Sequence, residues 1–140
     1  MDSELVQNIL KNRRENKLQS KEEITNDIQV VVYQVYRDVI NYESNKINLQ
    51  NTLEKLQNYK YCKEILVLKK GDYIRYLNSK YFYDIKLNLG GFVENIQGNL
   101  INVLVNNKFY KIRYDKNEIF IRLKDEDLLK LEIVELLEKN

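Results

Sequence analysis

The sequence predicts an α+β protein in which a small antiparallel barrel lies between two helical regions. Residues 1–60 contain no glycine or proline, whereas apolar and polar residues alternate between turn signals from residue 70 to residue 123. The chain ends with acidic residues followed by a leucine-rich run. These patterns favour a helical arm over 1–60, a five-stranded antiparallel barrel over 61–124 and an amphipathic helix over 125–140.

The helical arm is expected to contain two helices. The first covers residues 3–17, and the second begins after Ser20, which matches a capping box with Glu23 that is worth about 1 kcal/mol. Apolar residues then recur at helical spacing as far as residue 60, apart from a slip at 43–46 where we expect a break, a kink or a change of packing partner. The apolar face that we expect to mediate assembly consists of Ile28, Val31, Val35, Val39, Leu49, Leu53 and Leu56.

Five β-forming runs, separated by turn signals, occupy the middle of the chain. Gly90 and Gly91 lie in the second run and predict a bulge or a sharp bend, which a small barrel needs in order to close. Gly98 marks a hairpin, and Asn106 with Asn107 predicts a two-residue type I′ loop because asparagine tolerates positive φ. The predicted strands are 73–77, 89–96, 101–105, 109–114 and 119–123.

The layout of these strands is similar to a known architecture. The first strand opens with the run Lys-Gly-Asp-Tyr-Ile at residues 70–74, and a long connection over 78–88 precedes three tight hairpins. This layout resembles the SH3-like small barrel of Tudor and KOW modules. The resemblance covers less than half of the chain. It implies an SH3-like fold and a binding role, and it assigns no functional residue.

The last predicted helix combines a capping signal with a wide apolar face. Asp125 or Asp127 can cap it, and the acidic residues of its first turn complement the helix dipole. The apolar residues cover more than one side, so we expect them to pack against the long helix, the barrel or another subunit. These residues are Leu128, Leu129, Leu131, Ile133, Val134, Leu136 and Leu137.

The residue types present argue against an enzyme. The chain has no histidine, and therefore neither an imidazole base nor a histidine metal ligand. Its single cysteine, Cys62, excludes a thiolate zinc site and an intrachain disulfide, which favours an intracellular, reducing compartment. No apolar run approaches the ~18 residues that span a membrane, and the N-terminus lacks the apolar core of a secretory signal. We expect no catalytic residue, cofactor, metal or membrane span.

The composition also bears on origin and role. Lysine, asparagine, isoleucine and tyrosine are abundant, whereas alanine, proline and tryptophan are absent, which indicates AT-rich codon usage. Small proteins of large AT-rich DNA viruses have a similar composition, and AT-rich parasites or bacteria give the same bias. We therefore expect a non-enzymatic structural or interaction protein, in a viral setting a minor virion component. Its helices would mediate assembly or self-association, and its barrel would dock a partner protein.

A nucleic acid is the alternative partner. Residues 61–124 carry twelve basic and six acidic residues, so the predicted barrel is the basic part of a chain with net charge +2. Basic groups beside aromatic rings can hold a single strand by phosphate contact and stacking, although lysines on edge strands also deter aggregation. The candidate contacts to a nucleic acid or a partner are Arg75, Lys80, Tyr83, Lys108, Tyr110, Lys111 and Arg113.

The Tudor-like resemblance implies one further alternative. Tudor barrels bind methylated cations in cages of aromatic rings through cation–π contacts. The rings that could form such a cage are Tyr76, Phe82, Tyr83, Tyr110 and Tyr114. Core or rim packing explains the same rings more simply.

Overall fold

The structure, a computed structural model, describes residues 3–14, 18–37, 42–78 and 85–139, with the backbone alone for 42–47. The described residues form an α+β fold, as predicted from the sequence. The helices are α1 (Ser3–Arg14), α2 (Lys21–Arg37), α3 (Tyr42–Lys55) and α4 (Asp125–Glu138). The strands are β1 (Tyr59–Tyr61), β2 (Tyr73–Asn78), β3 (Lys86–Leu87), β4 (Gly91–Gln97), β5 (Leu100–Val105), β6 (Lys108–Arg113) and β7 (Asn117–Arg122).

All strands belong to one open antiparallel sheet. Its order is β1-β7-β2-β4-β5-β6, and β3 pairs with β2 outside this order. The five predicted strands correspond to β2, β4, β5, β6 and β7. The sequence did not predict β1 and β3, because strands of three and two residues are too short to show alternation.

The helical arm is shorter than the sequence predicted. The capping box is confirmed: the Glu23 backbone N–H donates to Ser20 Oγ at 3.2 Å, and Ser20 Oγ donates to the Glu23 carboxylate at 3.1 Å. After Ser20 the structure describes α2 as far as Arg37 and α3 from Tyr42, and residues 38–41 lie outside the described residues. Residues 43–46, where a break, a kink or a change of packing partner was expected, lie within α3. The helical region ends at Lys55, and the sheet already begins within the predicted arm.

Turn chemistry explains the hairpins. Asn106 and Asn107 have φ of 49° and 66°, as the predicted type I′ loop requires.

Gly91 is required by the close approach of two strands. A Cβ at this position would overlap the Val103 side chain and lie 2.8 Å from the Leu104 carbonyl oxygen. The β4–β5 register shifts two residues later, between Val93 and Asn95. Gly91 thus permits close approach of β5, and the bulge follows it.

Two apolar clusters lie on opposite faces of the sheet. The inner cluster consists of Cys62, Leu68, Ile74, Val93, Ile101, Val103, Ile112, Ile119 and Ile121. The helix cluster joins α2, α3 and α4 to the outer face of the sheet and consists of Ile24, Ile28, Val32, Tyr36, Leu49, Leu56, Leu77, Phe120 and Leu131. The Tyr36 hydroxyl is satisfied inside the helix cluster by a 2.9 Å hydrogen bond with Thr52 Oγ1.

Helix α4 divides its wide apolar face between two contacts. The N-cap residue is Lys124, and not Asp125 or Asp127 as the sequence predicted. Asp127 occupies the third helical position, where its carboxylate accepts from the Lys124 backbone N–H at 3.0 Å and closes the first turn. Leu131 packs in the helix cluster, whereas Ile133 and Val134 pack against Ile9 of α1. These three residues of α4 are covered within the chain, whereas Leu129 and Leu136 remain about half exposed.

Arg13 ties three helices together. Its guanidinium, at the end of α1, lies 2.6 Å from the Glu23 carboxylate of α2 and 2.5 Å from the Glu138 carboxylate of α4. It also donates to the Leu18 carbonyl oxygen at 3.0 Å. The hydrogen bond from Arg13 lowers the pKa of Glu23 below its usual value.

Arg13→Gln is expected to lower the free energy of unfolding at pH 7 by about 1 kcal/mol, because part-exposed ion pairs each contribute up to roughly that much. The folded-state pKa of Glu23 is lowered, so its contribution is present above the unfolded-state value of about 4.5 and is lost as the pH falls through the folded-state value. Urea titrations at pH 7 and pH 3 measure this, with the exposed Lys11→Gln as control. Equal destabilisation by Arg13→Gln at both pH values would contradict a stabilising ion pair between Arg13 and Glu23.

Candidate interaction surface

The helices cover only one end of the outer face of the sheet. Leu77 of β2 and Phe120 of β7 are buried there in the helix cluster. Over β4, β5 and β6 the outer-face side chains are exposed or half-buried, and none of them is buried in the described structure. This uncovered part of the sheet is the candidate interaction surface.

Four side chains form an apolar row across the uncovered face. The register places Tyr73 opposite Phe92, Phe92 opposite Leu104, and Leu104 opposite Phe109. Directly opposed residues of antiparallel strands lie close enough for their side chains to touch. Phe92 is 47% exposed and Phe109 is 61% exposed. We call these four residues the aromatic row.

One end of the aromatic row carries a cation. The Tyr73 and Phe92 rings meet edge to face with centroids 5.0 Å apart. On the other side of Tyr73, the Arg122 guanidinium carbon lies 4.0 Å from the ring centroid, within the range of a cation–π contact. A Cβ at Gly90 would overlap the Tyr73 ring. Tyr73 is therefore held in place by neighbours on three sides.

Polar side chains continue the surface beside the aromatic row. Asn95 pairs with Asn102, which pairs with Lys111 on β6. A shallow cavity of about 230 Å³ is lined by these three residues together with Gln97 and Leu100. The lining contains three side-chain amides, one cation and no carboxylate. The surface can thus offer apolar contact and hydrogen bonds at the same time.

The predicted nucleic-acid contacts do not form one surface. Lys111 and Arg113 lie on the outer face, and Arg113 is paired with the Asp115 carboxylate at 3.0 Å. Lys108 and Tyr110 alternate with them and point to the other face. Arg75 lies on the outer face of β2, where its Nε donates to the Asn88 carbonyl oxygen at 3.1 Å. Two further predicted contacts lie outside the described residues: Lys80 and Tyr83.

The predicted assembly face lies largely inside the chain. Three of its residues are buried in the helix cluster: Ile28, Leu49 and Leu56. Three more are partly buried against that cluster: Val31, Val35 and Leu53. Val39 lies outside the described residues. Contact with a second protein through this face would have to use the remaining exposed area.

The predicted aromatic cage is not assembled by the described rings. Tyr76 and Tyr114 pack against the inner cluster, and burial raises the pKa of both hydroxyls. Tyr110 is 47% exposed on β6. Phe82 and Tyr83 fall outside the residues that the structure describes. Tyr76 and Tyr114 therefore contribute to packing rather than to an open pocket.

The sequence predicted the strand that contains Phe109 but not the row that this residue belongs to. A two-residue loop at Asn106-Asn107 sets Leu104 opposite Phe109, so the pairing of these two residues could be predicted from the turn. The pairing of Tyr73 with Phe92 could not be predicted in this way, because the long connection between β2 and β4 separates the two residues.

Among the described residues, no three metal-ligating side chains lie together. The described helices are all too short or too polar to cross a membrane. Cys62 is buried, its thiol lies 3.1 Å from the Glu64 carbonyl oxygen, and burial raises its pKa to about 11. Cys62 therefore belongs to the inner cluster rather than to an exposed site.

The chain was compared with protein-family models, with curated proteins and with solved structures, and no significant match was found. Function is therefore inferred from the geometry of the described surface.

Cys62 is expected to react with Ellman's reagent at pH 8 more than about a hundredfold more slowly in the folded chain than in urea, since its raised pKa leaves little thiolate. The chain has one cysteine, so the absorbance change reports this thiol alone. Equal rates for the folded and urea-unfolded protein would contradict the packed position of Cys62.

Proposed function

We propose that this chain is a non-enzymatic interaction protein that docks a partner protein on the uncovered outer face of β4, β5 and β6. The observation that carries the proposal is the aromatic row, which crosses four strands and leaves Phe92 and Phe109 about half exposed. Contiguous apolar side chains on a folded surface mark interaction sites. Aromatic residues are also enriched at protein interfaces and at their energetic hot spots.

The neighbouring edge of the sheet suits the same role. Strand β6 is the last strand in the sheet order, and the described residues pair it with β5 alone. An edge strand presents unpaired backbone N–H and C=O groups that an extended segment of a partner can use. Phe109 and Tyr110 are exposed on the two faces of this edge. A partner that crosses the aromatic row would therefore reach backbone hydrogen-bonding groups next to it.

We also propose that the sheet forms an SH3-like barrel. Inner-face side chains of β2, β4, β5, β6 and β7 belong to one cluster. A sheet that brings these five strands around one core supports an SH3-like barrel, in which β1 and β3 are additions. The helices then serve to cover one end of the outer face, and the partner meets the other end.

Phe92→Ser combined with Phe109→Ser is expected to weaken partner binding at least about tenfold, because exposed aromatic hot spots each contribute on the order of 1–2 kcal/mol. The unfolding midpoint should change little, since both rings are about half exposed. The partner is identified by photo-cross-linking from position 104 in cells, and its affinity for the purified variants is measured by biolayer interferometry.

The matched control for the double variant is Leu66→Ser, which removes an 86% exposed leucine away from the sheet face. It should bind the partner as tightly as the unaltered chain does. A partner that binds the double phenylalanine variant with unchanged affinity would refute docking on the aromatic row.

A single-stranded nucleic acid is the second candidate partner. The side chains beside the aromatic row favour it, because the amides of Asn95 and Asn102 and the cation of Lys111 form a second, polar row next to it. Rings can stack on bases, amides can bond to base edges, and Lys111 and Arg113 can contact phosphates. The pairing of Arg113 with Asp115 reduces the cationic character of this surface, which places the protein partner first.

If a nucleic acid is the ligand, the chain is expected to bind a fluorescein-labelled 20-nucleotide single strand with micromolar affinity at 50 mM salt. Lys111→Gln with Arg113→Gln should then reduce the slope of log K against log salt by about 1.4, since each phosphate contact contributes about 0.7. Lys11→Gln, on α1, is the control. No detectable binding of the unaltered chain at low salt in fluorescence anisotropy would eliminate this candidate.

A further inference from the structure

A groove lies on the helical side of the molecule, apart from the aromatic row. Its volume is about 420 Å³, within the range of ligand pockets in proteins. It runs between α2, the end of α3 and α4. The apolar lining residues include Ile24, Ile28, Leu53, Leu56, Leu128 and Leu131.

The apolar lining of the groove is held by the core beneath it. Ile24, Ile28, Leu56 and Leu131 belong to the buried helix cluster. Leu128 is half-buried and therefore remains open to an incoming side chain. Because interiors are close-packed and their side chains occupy set rotamers, such a lining does not need to rearrange to receive an apolar group. The groove is thus formed in advance of binding.

The rim of the groove is acidic. Glu54 of α3 and Glu132 of α4 are exposed, and neither forms an ion pair with another described residue. Glu135 also lines the groove, where it is paired with Lys139 at 3.3 Å. Lys21 is the one basic residue of the lining. The rim therefore carries more negative charge than its own cations neutralise.

The negative charge extends beyond the groove. A shallower depression shares Lys21 and Glu135 with the groove and continues along α2 and α4 past Glu22 and Glu138. Glu135 and Glu138 also lie in the last turn of α4, where the helix dipole adds negative potential. Glu138 is paired with Arg13 and Glu135 with Lys139, so the excess of negative charge comes from the carboxylates of Glu22, Glu54 and Glu132. There a cationic ligand is favoured over an acidic one.

We propose that the groove binds a basic amphipathic helix of a partner protein. The apolar side of that helix would fill the lining between α2 and α4. Its lysine or arginine side chains would pair with Glu54 and Glu132 on the two banks of the groove. Helix-in-groove binding of this kind uses apolar anchors at helical spacing, with charges at the rim selecting the partner. This second contact is independent of the sheet face.

The test uses the full chain and a fluorescein-labelled 18-residue peptide of leucine and lysine arranged at helical spacing. Fluorescence anisotropy is expected to show saturable binding at micromolar concentrations. The same peptide with glutamate in place of lysine should not bind. Glu54→Gln with Glu132→Gln should weaken binding about fivefold or more, since each partly exposed pair is worth roughly two- to fivefold in affinity.

A second variant tests the apolar part. Thr25 is exposed and lines the groove, so Thr25→Trp should block it without disturbing the core, and should reduce binding at least about tenfold. Glu64→Gln, an exposed carboxylate away from the groove, is the matched control and should leave affinity unchanged. Binding that is unaffected by both groove variants, or equal binding of the glutamate peptide, would overturn the proposal. So would a failure of the lysine peptide to bind below about 100 μM.

Discussion

Strand β7 holds the protein together because both of its faces are buried. Ile119 and Ile121 pack in the inner cluster, whereas Phe120, with 0% of its surface exposed, packs in the helix cluster. The same strand pairs with β1 on one side and with β2 on the other. The inner cluster and the helix cluster therefore both depend on β7, as they also do on β2, whose Ile74 lies in the inner cluster and whose Leu77 lies in the helix cluster.

The junction between helix and sheet follows from this shared strand. Strand β1 begins soon after α3, and its Tyr61 ring lies 5.8 Å from the Phe120 ring. The Tyr61 hydroxyl donates to the Glu118 carboxylate at 2.6 Å. Burial raises the pKa of Tyr61, and this hydrogen bond raises it further, so the hydroxyl keeps its proton at neutral pH. A division into an arm and a barrel at residue 60 thus cuts through a packed region.

Local sequence patterns predicted five of the seven described strands, whereas the interaction surface depends on long-range register. Alternation and the Asn106-Asn107 loop predicted β5 and β6, because both signals act over a few residues. β1 was missed because its pairing with β7 joins residues about sixty positions apart in sequence. The slip in the apolar pattern at 43–46 likewise did not mark the end of a helix, because those residues lie within α3. Periodicity alone does not tell one long helix from two that pack on each other. The aromatic row depends on the long-range pairing of β2 with β4, which no local pattern reports.

The aromatic row is difficult to explain by folding alone. AT-rich codon usage can supply phenylalanine and lysine throughout a chain, but it does not align apolar side chains of neighbouring strands in one register. The inner cluster is closed without Phe92 and Phe109, and the helix cluster covers Phe120 without reaching them. Exposed rings at these positions add apolar surface in water and favour association, since burial of apolar area stabilises by about 25 cal/mol per Å². A partner that covers the row would recover that free energy, which the fold of this chain leaves unused.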